Sequence, residues 1–177
     1  MATSITVEQC CAALVEHLRQ VRRSSPHTVD GYKRDLTQFA RYLEKVAARE
    51  HKTIAAHKVD TRHVRGYVSE LRVAGIATRS IHRKLSSLRA MYRFYNEFYR
   101  QGQADIDPCA GVSAPRSARK LPTVLDADAV AVLFEQQHSK AAQNSANVWI
   151  NLRDLAVLEL LYGAGLRLAE LAALDTT

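Results

Sequence analysis

Arginine is the residue of this sequence best placed to do chemistry. Its planar guanidinium stays charged at physiological pH and presents donors that hold an anion such as a phosphate bidentately. Between Arg79 and Arg100, the residues Arg79, His82, Arg83, Ser86, Arg93 and Arg100 recur at steps of three, four and seven, which gathers them on one side of a helix, with Arg89 near the border. Lys33, Arg34, Thr37 and Arg41 form a second such face earlier in the chain. Arg167 stands three residues before Glu170, close enough for the two to pair on a helix. Taken singly, a basic stripe is usually a solvated face, and an exposed Arg–Glu pair contributes little.

Other chemistries fit less well. Gly163-Ala-Gly-Leu-Arg-Leu has the look of a dinucleotide loop, but that fingerprint requires glycine where Leu168 stands, and the preceding residues have helical rather than strand character. No nucleotide is expected. Cys10, Cys11 and Cys109 are odd in number and form no CxxC pair, which argues against a disulfide framework or a zinc site. His51, His57 and His63 lie six apart, on alternating sides of a helix. Neither a metal nor another cofactor is expected.

The net charge of +7 is unevenly divided. Residues 1–115 carry 19 Lys and Arg against 11 Asp and Glu, a net +8, whereas residues 116–177 carry 6 against 7, a net −1. The excess therefore belongs to the part that holds both basic faces, as expected of a surface that meets phosphates. No apolar run approaches the roughly 20 residues of a membrane span, and no secretory signal opens the chain. The expectation is a soluble, cytoplasmic protein with no membrane partner.

Apolar residues recur at helical spacing throughout, so the fold class read from the pattern is all-α. A first helix is expected over about 6–22. Ser24-Ser-Pro starts a second, which turns Val29, Tyr32, Leu36, Phe39 and Leu43 inward and fades near Arg49. Asp60 or Thr61 caps a third that ends at Gly75. The fourth runs from Thr78 to Arg100, with Ile81, Leu85, Leu88, Met91, Tyr92, Tyr95, Phe98 and Tyr99 on its apolar side and Lys84 the one basic residue among them. Glycines and prolines from Gly102 to Pro122, with Arg116, Arg119 and Lys120, read as an exposed connection. The expected organisation is a helical domain over 1–110, a linker over 111–122, and helical segments over 123–177 that begin at Asp126 or Asp128. Those last residues are few for a self-supporting domain, so a truncated second domain is expected.

Several segments, taken in order, carry a family resemblance. Ser25-Pro-His-Thr-Val-Asp-Gly-Tyr-Lys-Arg-Asp-Leu, Arg79-Ser-Ile-His-Arg-Lys-Leu-Ser-Ser-Leu-Arg, Pro108-Cys-Ala-Gly-Val-Ser-Ala-Pro-Arg and Lys120-Leu-Pro resemble the core-binding domain and linker of Xer-type tyrosine site-specific recombinases, with the Gly-Val-Ser-Ala-Pro segment leaning toward the XerC branch. Arg153-Asp-Leu-Ala-Val-Leu-Glu-Leu-Leu-Tyr-Gly-Ala-Gly-Leu-Arg-Leu-Ala-Glu-Leu resembles the opening of their catalytic domain.

The resemblance implies a SAM-like helical bundle that contacts double-stranded DNA through Lys33, Arg34, Arg41, Arg79, His82, Arg83, Ser86, Arg89 and Arg93. The nine DNA contacts are those of the two basic faces read above, whereas the resemblance itself implies Arg167 as the first of the family's catalytic arginines, with Glu170 orienting it. In such recombinases a tyrosine attacks the scissile phosphate without metal or ATP, and a second Xer-type recombinase takes part in resolving chromosome dimers. The family's catalytic lysine, His-x-x-Arg pair and nucleophilic tyrosine match no position among the 177 residues, so the expectation for this polypeptide is binding without cleavage. A runner-up reading is a non-catalytic DNA-binding or regulatory protein from a truncated recombinase gene. A third is a helical interaction module whose basic face meets acidic partners.

Overall fold

Polar side chains read as helix starts occupy those places in the structure. The computed structural model describes residues 5–50, 54–113, 124–142 and 147–175, and the chain divides into two units, 1–118 and 119–177. The described residues are helical, with one isolated bridge between Thr6 and Ala55 and no strand, so the fold is all-α as expected. Most of the expected linker, with Arg116, Arg119 and Lys120, lies outside the described residues, as do His51 and residues 143–146 of the polar stretch.

In the first unit, Thr6 caps α1 (Val7–Gln20) reciprocally: its hydroxyl accepts from the Gln9 N–H at 3.2 Å, and Gln9 Oε1 accepts from the Thr6 N–H at 3.0 Å. Ser25 Oγ accepts from the Thr28 N–H at 3.3 Å at the start of α2 (Pro26–Glu50). Asp60 Oδ1 accepts from the Arg62 and His63 N–H groups at 2.9 and 3.1 Å and opens α3 (Thr61–Val73). α4 (Thr78–Tyr99) follows Ala77 without a side-chain cap.

α3 stops at Gly75, whose φ of +71° lies in the left-handed region. The Gly75 N–H reaches the Arg72 carbonyl and the Ile76 N–H the Leu71 carbonyl, both at 3.0 Å, the two bonds of a Schellman stop. An Ala side chain is disfavoured in that conformation, so Gly75→Ala is expected to cost about 1 kcal/mol. The midpoint of a urea unfolding curve measures it.

Leu14 of α1, Leu36 and Phe39 of α2, Leu71 of α3, and Leu85 and Tyr92 of α4 meet in one core. The expected apolar side of α4 is buried through Tyr95, but Phe98 is 46% exposed. Its ring rests on Phe94 and His17, with centroids 4.7 and 5.3 Å away. Phe94, one turn earlier on the same helix and also against His17, is the phenylalanine that is buried. After α4 the chain stays pinned. The Asn96 side chain exchanges two 3.0 Å hydrogen bonds with the Ile106 backbone, and Cys109 and Val112 are buried.

The second unit contains α5 (Ala127–Ala142), α6 (Val148–Gly163) and α7 (Leu168–Ala172). Asp126 Oδ1 accepts from the Ala129 N–H at 2.7 Å and caps α5. α5 and α6 are joined by Gln137 donating to the Asn151 carbonyl at 3.1 Å, by Asn151 donating to the Lys140 carbonyl at 3.0 Å, and by the Phe134 and Tyr162 rings. No described residue of this unit is buried, and Trp149 and Leu168 are 62% and 74% exposed. Among the described residues, no helix is long and apolar enough to cross a membrane.

Candidate nucleic-acid interface

The two basic faces belong to helices that pack directly on each other. α2 presents Lys33, Arg34, Thr37 and Arg41 outward, and α4 presents Arg79, His82, Ser86 and Arg93 outward. Both helices are held by their opposite, apolar sides, which is why their polar residues are left on the surface. Arg34 and Arg41 lie one turn either side of Gln38, and all three border a shallow depression of about 600 Å³ on α2. Lys33 and Arg41 also border a groove against α1, whose other wall carries Glu8 and Glu16, so part of their positive field is offset on that flank.

The seam between α2 and α4 is a buried polar cluster that periodicity did not disclose. Asp35 is 2% exposed. Its Oδ1 accepts from Lys84 Nζ at 3.0 Å, its Oδ2 accepts from Arg83 Nη1, and the Ser87 hydroxyl lies 3.2 Å from the same oxygen. Lys84 Nζ donates also to Gln38 Oε1. Lys84, the misfit on the apolar side of α4, is thereby buried with its charge paired, as a buried ammonium requires.

This cluster changes the position of Arg83. Its guanidinium is half exposed and tied to Asp35, so it is an anchored donor at the α2 edge of the face, whereas Arg79 and Arg93 have no ion pair among the described residues. Arg89 is committed at the other edge, where its Nη2 donates to the Val112 carbonyl at 2.8 Å. The Ser86 hydroxyl donates back to the His82 carbonyl at 3.1 Å.

Arg167 and Glu170 come together in the second unit. Arg167 is the residue before α7 rather than part of the helix, with extended φ and ψ of −75° and 151°. Its N–H donates to Glu170 Oε2 at 2.9 Å and its Nη1 to Glu170 Oε1 at 2.8 Å. The backbone hydrogen bond from Arg167, and then the one from its side chain, hold the Glu170 carboxyl below its usual range. The Arg167 side chain is 84% exposed, so its remaining donors point at solvent. Gly165, with φ of +64°, makes the turn that sets it there.

Other reactive groups are blunted by burial. Burial pushes the Cys10 and Cys11 thiols to about 12 and Cys109 to about 11, so none is a ready thiolate. The Tyr67 and Tyr92 hydroxyls are raised by burial as well. Among the described residues, no three or more His, Cys, Asp and Glu side chains gather as metal ligands do.

Comparison with known proteins gives consistent likenesses. Residues 12–97 match the phage integrase N-terminal SAM-like domain. The chain is 40% identical over 163 residues to a tyrosine recombinase XerC of Pseudomonas aeruginosa (strain LESB58), covering 92% of this chain and 49% of that protein. It is 38% identical over 163 residues to that of Azotobacter vinelandii, covering 92% and 50%, and 35% identical over 169 residues to that of Pseudomonas savastanoi pv. phaseolicola, covering 96% and 52%. The chain thus spans about half the length of the curated relatives it matches.

Proposed function

This chain belongs to the tyrosine recombinases of the Xer type, and from that premise we propose that its α2–α4 face binds duplex DNA at a recombination site. The observation that carries the reading is the Asp35 seam. It fixes two basic helices in one register, and the net positive charge of the chain lies entirely in the part that contains them. Arginines held this way can meet guanine edges bidentately while their neighbours grip phosphates.

In the whole recombinase, the bound duplex is cut and rejoined through a phosphotyrosine intermediate, with a second Xer-type recombinase as partner, and chromosome dimers are resolved. Arg167 supplies fixed positive charge to the scissile phosphate as its negative charge grows, held in place by Glu170. No metal or nucleotide enters this scheme. The 177 residues alone supply binding and one arginine of the active site. That agrees equally with a non-catalytic DNA-binding or regulatory protein of the same ancestry.

The test uses an Arg79→Ala/Arg93→Ala chain, which leaves the Asp35 cluster intact. Duplex affinity is expected to fall, and the slope of log K against log salt to lose about two, at roughly 0.9 per phosphate contact. An unchanged slope removes α4 from the interface.

A further inference from the structure

The polar face of α3 lies outside everything assigned so far. Its one carboxylate, Glu70, turns to Lys45 of α2 at 3.5 Å, and the capping Asp60 is taken by Arg62 at 3.4 Å and His63 at 2.8 Å. Arg65 and Arg72 stand seven residues apart, two turns along one side of the helix, and both are exposed. Among the described residues, neither is paired with a carboxylate.

With Ser69 between them, they form one wall of a shallow depression of about 290 Å³, whose other wall is Gly111, Val112 and Ser113. That second wall is fixed. Val112 is buried, and its carbonyl is the acceptor that holds Arg89 of α4.

The two tethered arginines of α4 order the surface. Arg83 lies at one edge of the exposed face of α4 and is tied to α2, whereas Arg89 lies at the other edge and is tied to the depression beside α3. A duplex held along α4 is therefore flanked by α2 on one side and by this depression on the other.

We propose that Arg65 and Arg72, with the Ser69 and Ser113 hydroxyls as further donors, grip backbone phosphates on the flank of the duplex away from α2, an inference that rests on duplex binding by the α2–α4 face. The chemistry is that of a phosphodiester anion met by paired guanidinium and hydroxyl donors. Such contacts fix position on the duplex without reading its sequence.

The experiment compares the 177-residue chain with its Arg65→Ala/Arg72→Ala variant on a Xer-type site and on scrambled duplex, across a salt series. The log–log salt slope is expected to fall by about two for both duplexes. The ratio of the two affinities stays that of the parent, because the lost contacts carry no sequence information. The melting temperature also stays that of the parent, since both side chains are exposed and, among the described residues, paired with no carboxylate. Arg65→Lys/Arg72→Lys keeps the slope, because charge rather than shape sets it.

A slope equal to the parent's overturns the inference. So does a fall confined to the Xer-type site. If the Arg79→Ala/Arg93→Ala chain loses affinity while the α3 variant does not, only the α3 inference falls. If the parent binds neither duplex, the α2–α4 reading fails and takes this inference with it.

Discussion

Asp35→Ala is expected to lower the stability of the chain by about 3 to 5 kcal/mol, the usual penalty for removing one partner of a buried ion pair. Asp35 is almost fully buried and accepts hydrogen bonds from two cations on α4. Without it, buried Lys84 keeps only the Gln38 oxygen, and the anchor of Arg83 is gone. The loss is read as a lowered urea midpoint. An Asp35→Leu/Lys84→Met chain is expected to recover most of it, because the cost arises from stranding a charge and not from lacking the pair. A single-variant loss below about 1 kcal/mol, the range of exposed pairs, contradicts the buried cluster. With α2 and α4 no longer tied, duplex affinity of the double variant is expected to stay below that of the parent even where stability is regained.

The second large effect concerns Arg167. In a polypeptide that joins residues 1–177 to the complementary half of the Pseudomonas aeruginosa relative, Arg167→Ala is expected to slow strand cleavage by about 10² to 10³, the range for loss of one preorganised donor at a developing oxyanion. Duplex affinity should be retained, because Arg167 stands in the unit that lacks the basic faces. Arg167→Lys should not restore the rate, since an ammonium does not reproduce the fork of a guanidinium. Glu170→Gln should cost less than Arg167→Ala, because its amide oxygen still accepts from the Arg167 N–H while the charge pairing is lost. Cleavage by Arg167→Ala at the parent rate removes Arg167 from the chemistry.

Much of the first unit was legible because helix starts and stops are local. Ser25, Asp60 and Gly75 act on backbone groups close by in sequence, and each is where the pattern placed it. The apolar stripe of α4 was legible for the same reason, up to the last turn, where Phe98 emerges.

What stayed hidden depends on pairs far apart in sequence. Lys84 on an apolar side signals that a buried carboxylate must exist, yet nothing in the sequence says that Asp35, forty-nine residues earlier, is that group. The tethering of Arg89 by Val112 and the facing of Arg65 and Arg72 onto residues 111–113 are likewise set by the path of the chain after α4. The candidate catalytic pair was found by resemblance rather than by pattern. An exposed Arg–Glu pair three residues apart has no distinguishing local physics.

The most direct test of the account is equilibrium binding of the unmodified 177-residue chain to a Xer-type recombination duplex and to a scrambled duplex of equal length, from low to physiological salt. The account predicts tighter binding to the recombination site, with a steep salt dependence for both duplexes as basic side chains displace condensed counterions. Failure to bind either duplex at low salt would contradict it and leave the α2–α4 face as a solvated surface.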